Sequence, residues 1–157
     1  MPDASEEAQH ISVLRKVILA LLVLEMLGTA AELILLGHFE DVWQMVPLVL
    51  IAAGVVVLAW HWFDRRASSL LALRVVMILA IASGGIGFYL HYRANAEFQL
   101  DIDPSMRGLT LWLKVMQAKA PPALAPGVMA HFGLLGLAYT YRHPALDTDV
   151  KDDSRLH

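Results

Sequence analysis

Two glutamates lie inside the longest apolar stretch of the chain, LLVLEMLGTAAELILLGHFEDVW at 21–43. Seven residues advance an α-helix by almost two turns, so Glu25 and Glu32 share one helix face. Gly28 and Thr29 lie between them on that face. A charged side chain at mid-bilayer costs about 2.5 to 3.5 kcal/mol on insertion scales, which predicts that this face meets other helices or water. Two such carboxylates could relay protons or cations if water bridges the roughly 10 Å between them.

Three histidines could join Glu32 in a metal or haem site. Helix lengths place Glu32 and His131 at nearly equal depth below the outer membrane boundary. His38 and His91 end their helices on that same side. Imidazole and carboxylate suit zinc, iron, copper or manganese, and two axial imidazoles suit a b-type haem. The sequence therefore predicts a haem or transition-metal layer formed by Glu32, His38, His91 and His131, without a tight motif such as HxxxH or HExxH.

The same residues also have purely structural interpretations. His38 and His91 suit polar residues at a membrane interface, and His131 could hydrogen-bond Glu32 without a metal. Glu25 lies deeper and has no equally good partner in the sequence. These alternatives stay open at this point.

Four apolar segments must position these side chains, at about 12–36, 45–63, 70–92 and 125–141. Each approaches the roughly 20 residues that a helix needs to cross about 30 Å of hydrocarbon. The predicted fold is therefore all-α: a single integral membrane domain over 1–157, built as a bundle of four transmembrane helices. Gly84 and Gly87 lie on one face of the third helix and Gly28 on the first, where missing side chains allow close helix packing.

The connection at 93–124 carries two further patterns. EFQLDID at 97–103 alternates apolar and polar residues, which predicts an extended segment. Its acidic side, Glu97, Asp101 and Asp103, could bind a divalent cation, the alternative being a solvated acidic face. Asp103 as cap and Pro104 at the first helical position then predict an amphipathic helix over about 104–118, lying in the membrane interface or docked on the bundle or a partner.

Basic residues at the helix ends predict the orientation. Arg15 and Lys16 precede the first apolar segment, and Arg65 and Arg66 follow the second, whereas the loop after the first segment has neither Lys nor Arg. Because basic residues near helix ends are retained in the cytoplasm, both termini are expected there, including the tail at 142–157, as in a protein of the bacterial inner membrane. A cleaved signal peptide is disfavoured because the leading residues are acidic and the apolar run continues to position 36.

Composition removes several classes of function. The formal net charge of −3 without a basic tract argues against nucleic-acid binding, and the absence of cysteine excludes disulfides, iron–sulfur clusters and covalent haem attachment. No nucleotide-binding or hydrolase motif occurs, which disfavours an enzyme. We expect a bilayer protein that serves as an accessory or binding subunit of a larger membrane complex, with other membrane subunits or copies of itself as partners. A haem- or metal-binding redox protein and a proton- or cation-coupled transporter using Glu25 and Glu32 are the alternatives.

Overall fold

The computed structural model describes residues 3–118 and 123–146, in which it contains five α-helices. They are α1 (Ala4–Leu35), α2 (Val42–Phe63), α3 (Ala67–Ile102), α4 (Gly108–Met116) and α5 (Leu124–Thr140). The described residues are 85% helical and include no strand, so the all-α class is confirmed. Three helices, α1 to α3, are long and apolar enough to cross a membrane, whereas α5 is apolar but has only 17 residues.

A sharp turn joins α1 to α2. Gly37 follows the end of α1 with φ of 65°, a left-handed conformation that glycine adopts without steric cost. The His38 amide donates to the carbonyl of Leu33 at 2.8 Å, which closes a Schellman-type cap. The Asp41 side chain then caps α2 by accepting a hydrogen bond from the backbone N–H of Gln44 at 2.9 Å. The turn thereby places His38 beside the first residues of α2.

The third helix extends well beyond its predicted end and absorbs most of EFQLDID. The extended segment expected at 97–103 is wrong, because α3 continues to Ile102. An isolated strand would leave its backbone amides and carbonyls without partners, whereas a helix satisfies them internally. The Arg93 guanidinium also bonds Glu97 one helical turn later, at 2.7 Å. Alternation over seven residues was too short a pattern to outweigh these local helical contacts.

The short helix α4 begins at Gly108, four residues later than the predicted start. Asp103 ends α3, and its side chain accepts hydrogen bonds from the Ser105 hydroxyl at 2.6 Å and from the Ser105 amide at 2.9 Å. These two hydrogen bonds lower the pKa of the Asp103 carboxyl. Pro104 consequently lies in a turn between α3 and α4. The carboxyl predicted to begin one helix instead organises the end of another.

Close packing through glycine fixes α5 against α3. A Cβ on Gly84 would lie 2.7 Å from the carbonyl oxygen of Pro126, and one on Gly87 would lie 3.2 Å from the Pro126 side chain. Further along, Gly133 and Gly136 of α5 receive Met77 of α3. The first turn of α5 therefore lies at the level of Gly84 and Gly87.

The remaining contacts assemble α1, α2, α3 and α5 around one apolar core. Two arginines tie the residues at and just after the end of α5 to the N-terminal halves of α1 and α3. Arg74 of α3 donates to the Thr140 carbonyl at 2.9 Å, and Arg15 of α1 donates to the Arg142 carbonyl at 2.6 Å. Below, the end of the bundle that carries Arg15 is called the inner end, and the end that carries His38 and His91 the outer end. The fully buried large side chains of the core include Leu22, Met26, Leu70, Leu73, Met77 and Phe132.

Candidate functional site

A carboxyl–imidazole pair joins α1 and α5 near the middle of both helices. Nδ1 of His131 lies 2.6 Å from Oε1 of Glu25, a distance typical of a charge-assisted hydrogen bond. The other carboxyl oxygen of Glu25, Oε2, is buried and has no hydrogen-bond partner. Glu25 is therefore partnered, contrary to the sequence-based expectation, but only through one of its two oxygens.

The expected pairing of Glu32 with His131 is wrong, and the depth of α5 explains why. Seven residues along α1, a rise of roughly 10 Å, separate Glu32 from Glu25. Since Pro126 packs at the level of Gly84, His131 lies five residues deeper than that level. This position brings His131 to Glu25. The four predicted ligands consequently do not share one layer.

The His131 side chain is unusually exposed for its position. Its solvent-exposed fraction is 63%, whereas that of Glu25 is 21%. His131 stands eight residues into the 17 residues of apolar α5. On the neighbouring face of α1, a Cβ added to Gly28 would meet no atom within 4 Å. The imidazole of His131 and the uncovered Gly28 thus both lie on the outside of the bundle.

The other three predicted ligands line a cavity of about 340 Å³ at the outer end, here called the outer cavity. The imidazole rings of His38 and His91 have centroids 6.2 Å apart and planes inclined by 12°. The turn after α1 and the long α3 together bring these two rings into a stacked arrangement in the lining of the cavity. The polar lining of the cavity includes Glu32, His38, Asp41, Gln44, Ser83 and His91, and its apolar lining includes Leu33, Pro47, Ile86, Leu90, Pro126 and Met129.

The predicted metal ligands do not converge on one centre in the described part of the chain. Within 3–118 and 123–146, no group of three His, Asp or Glu side chains is placed to hold a metal ion. The acidic residues after His91 are engaged separately: Glu97 bonds Arg93, and Asp103 bonds Ser105. Asp101 is exposed. Glu97, Asp101 and Asp103 therefore do not surround a common point in the described residues, and the cation site suggested for them stays a prediction.

The two glutamates of the proposed proton or cation relay also lie in separate surroundings. Glu25 bonds His131, while Glu32 opens into the outer cavity. No hydrogen bond joins the two glutamates within the described part of the chain. A relay from one to the other stays a prediction that would need water or an added side chain.

A second, larger space opens at the inner end between α1 and α2, with a volume of about 960 Å³; we call it the inner cleft. Its walls are apolar and include Leu19, Val23, Leu27, Val55 and Leu58. Its lining also includes the basic or titratable side chains Arg15, Lys16, His61, Arg65, Arg142 and His143. Sequence reasoning counted Lys16 and the three arginines only as orientation signals, since their convergence depends on the packing of α5.

Two histidines form one wall of the inner cleft. Nδ1 of His61 lies 2.8 Å from the Ser69 hydroxyl, and the His61 and His143 ring centroids are 5.4 Å apart. Burial, together with neighbouring His61 and Arg15, lowers the pKa of His143 from its ordinary 6.5. Half-buried and close to two basic groups, His143 favours its neutral form.

Comparisons with known proteins return no match: no protein-family model, no curated protein and no solved structure is similar to this chain. The geometry of the chain itself therefore carries the functional argument.

Proposed function

We propose that this protein is a small multi-pass membrane subunit that assembles with a different membrane protein through the face of α1 and α5 around His131. In this arrangement α5 is a fourth membrane-spanning helix, and α4 lies at the outer membrane–water interface. The partner contributes a transmembrane helix with a polar side chain at the depth of Glu25 and His131. Lipid covers the remaining apolar surface.

The exposure of His131 carries the proposal. Alone in a bilayer, a 63% exposed imidazole in the middle of α5 would face hydrocarbon. Polar groups at that depth are expensive and normally face a protein interior or water. The unpartnered Oε2 of Glu25 adds an unsatisfied acceptor at the same place. A hydrogen-bonding side chain from a partner helix would relieve the cost of the exposed imidazole, whereas Oε2 is buried and out of its reach.

The surface around His131 suits a helix as partner. Gly28 is exposed, and an added Cβ there would meet nothing within 4 Å. Small residues on a membrane helix let a second backbone approach closely, which favours van der Waals packing. Leu24 and Leu134 flank the site with exposed fractions of 70% and 58%. Together they form an apolar surface with one polar point of recognition.

Photocrosslinking in native membranes tests this proposal. A benzophenone amino acid at Leu134 should crosslink to a protein of different mass, which mass spectrometry then identifies. Val56 of α2, 66% exposed, is the matched control and should yield lipid adducts instead. His131→Leu should reduce co-purification of the same partner in mild detergent. Equal crosslinking from both positions, or only dimers of this chain, would contradict a hetero-complex on this face.

The His38–His91 pair supports a second candidate function, axial ligation of a b-type haem. An axial imidazole points a ring nitrogen at the iron, so each of these two stacked rings would have to rotate edge-on toward it; two metal–nitrogen bonds of about 2 Å then place the centroids roughly 6 Å apart. The observed separation is 6.2 Å. Haem brings four equatorial nitrogens of its own, so that two side chains suffice where no third is placed.

Optical spectroscopy tests the haem candidate. The purified chain mixed with haemin should develop the sharp Soret and visible bands of a six-coordinate, low-spin iron. His38→Ala and His91→Ala should each abolish these bands, whereas the control His131→Ala should retain them. Identical spectra from all three variants would indicate nonspecific haemin adsorption and remove the candidate.

A further inference from the structure

We propose that the inner cleft binds one anionic phospholipid, with the phosphate held at its basic side chains and one acyl chain lying between α1 and α2. This inference concerns the opposite end of the bundle from the outer cavity, and it is independent of any partner at His131.

Charge selects the headgroup. Arg15 and Lys16 come from α1, Arg65 from the loop after α2, and Arg142 from the residues after α5. Four cations from three separate segments therefore meet at one opening. Among the described residues that line this cleft, none is Asp or Glu. Basic pockets between transmembrane helices on the cytoplasmic side are typical sites for anionic lipid headgroups.

The length of the apolar walls selects a lipid rather than a free anion. From Arg15 to Leu27, the cleft follows α1 for twelve residues, which corresponds to roughly 18 Å. Half of a typical hydrocarbon core is about 15 Å thick. Val55 and Leu58 provide the opposite wall from α2. An acyl chain extending from a phosphate at Arg15 would thus find apolar contacts along its whole length.

Contacts within the chain position two of the four basic side chains, Arg15 and Arg142. Arg15 donates to the carbonyls of Tyr141 and Arg142 at 3.3 and 2.6 Å, which holds its guanidinium against the end of α5. The Arg142 guanidinium lies 5.6 Å from the centre of the Tyr141 ring. Preorganised donors lose less conformational entropy on binding than free side chains do.

A neighbouring arginine provides an internal control for general surface charge. Arg66 does not line the inner cleft and instead pairs with Asp64 at 3.0 Å. Arg65, one residue earlier, lines the cleft. Any effect of overall positive charge on lipid binding would be equal for these two residues, whereas binding in the cleft depends on Arg65 alone.

Native mass spectrometry of the full chain in an uncharged detergent tests the proposal. Dioleoyl phosphatidylglycerol should bind as one retained molecule, and dioleoyl phosphatidylcholine should bind much more weakly. Neutralising one basic residue near an anionic lipid lowers affinity roughly fivefold. Arg65→Gln should therefore weaken phosphatidylglycerol binding about fivefold and Lys16→Gln/Arg65→Gln about 25-fold. Arg66→Gln should leave it unchanged.

A steric variant tests the acyl-chain contact without changing charge. Ala59 lines the cleft, so Ala59→Phe should fill it and weaken phosphatidylglycerol binding. Ala52 lies seven residues earlier on α2, is exposed and does not line the cleft, so Ala52→Phe is the matched control. Thermal melts without lipid verify that each variant is folded.

Three results would overturn the assignment. Equal retention of phosphatidylcholine would show that charge does not select the ligand. Equal losses in Arg65→Gln and Arg66→Gln would show that the cleft is not the site. Complete displacement of phosphatidylglycerol by inorganic phosphate at equal concentration, with no effect of Ala59→Phe, would identify an anion site rather than a lipid site.

Discussion

The Glu25 carboxyl group uses one oxygen inside the chain and leaves the other without a hydrogen-bond partner. At residue scale this asymmetry matters more than the presence of a glutamate in an apolar helix. A buried acceptor without a partner costs about 1 to 3 kcal/mol, whereas replacing both members of a pair by apolar groups can be nearly neutral. The pair with His131 is therefore best understood by comparing single and double replacements.

Replacing His131 alone should destabilise the isolated chain. His131→Leu leaves both Glu25 oxygens unpaired, so we expect a loss of about 1 to 3 kcal/mol in the free energy of unfolding. Glu25→Leu/His131→Leu should recover to within about 1 kcal/mol of the original chain, since no unpaired acceptor then remains. Unfolding by SDS in mixed micelles measures both values. His10→Leu, at an exposed position of α1, is the control. Additive losses in the double variant would show that the two side chains do not interact.

Stability should also depend on pH through His143. Its pKa is lowered from 6.5 in the folded chain by burial, by His61 and by Arg15. The unfolded chain therefore binds a proton near pH 6.5 while the folded chain does not, and folding becomes less favourable as the pH falls through this value. The loss should level off below the folded pKa. Melting temperatures between about pH 7.5 and 5 measure the slope.

Two matched variants, His143→Asn and His10→Asn, show whether His143 causes this dependence of the melting temperature on pH. His143→Asn should reduce the slope, because one residue that takes up a proton on unfolding is gone. His10→Asn should leave it unchanged, since His10 is exposed. An unchanged slope in His143→Asn would assign the pH dependence to other groups.

At the scale of elements, glycine on α3 sets how deeply α5 enters the bundle. Gly84 contacts backbone atoms of α5, which cannot move aside as a flexible side chain can. The level of Pro126 in turn determines which glutamate His131 reaches. Helix packing through small residues thus controls the site as well as the stability of the pair α3 and α5.

Two adjacent glycines should respond oppositely to the same substitution. The Cβ of Gly84→Ala would lie 2.7 Å from the Pro126 carbonyl oxygen and 3.0 Å from the Ala130 nitrogen, so we expect a loss of about 1 to 3 kcal/mol from overpacking. Gly85→Ala meets no atom within 4 Å and should be neutral or stabilising by up to about 1 kcal/mol, because alanine favours helix. SDS unfolding measures both. Equal effects would contradict close packing of α3 on α5.

For the whole molecule, the number of membrane crossings decides which surfaces meet water. Arg15 and Arg74 hold the residues at the end of α5 beside the N-terminal halves of α1 and α3. This arrangement supports a fourth crossing by α5, although its 17 residues rise only about 25 Å and the core of a bilayer is about 30 Å thick. A short fourth span is accommodated when flanking basic side chains reach the interface or the bilayer thins locally.

Single-cysteine labelling measures this topology, because the sequence contains no cysteine. Four crossings predict that cysteines replacing Ser5, Ser68 and Pro144 react with an impermeant maleimide from one side of a sealed vesicle. A cysteine replacing Ser105 should react from the other side. All four positions are exposed in the structure. Labelling of Pro144→Cys together with Ser105→Cys would show that α5 does not cross.

Hydropathy and periodicity alone determined the helical class, the four apolar segments and the angular position of Glu25 and Glu32 on α1. Such patterns report the direction in which a side chain points around its own helix. They do not report the axial register between helices distant in sequence. Hydropathy also could not show that α3 continues through EFQLDID, because polar helical residues beyond an apolar segment carry no hydropathy signal.

Only the tertiary structure decided which side chains meet. It brought His131 to Glu25, left Glu32 with His38 and His91 in the outer cavity, and gathered four basic residues around the inner cleft. The physical reason is the steric fit between Pro126 and the glycines of α3, which sets the depth of α5. A shift of one turn moves a side chain about 5.4 Å along the helix axis, which is enough to exchange one hydrogen-bond partner for another.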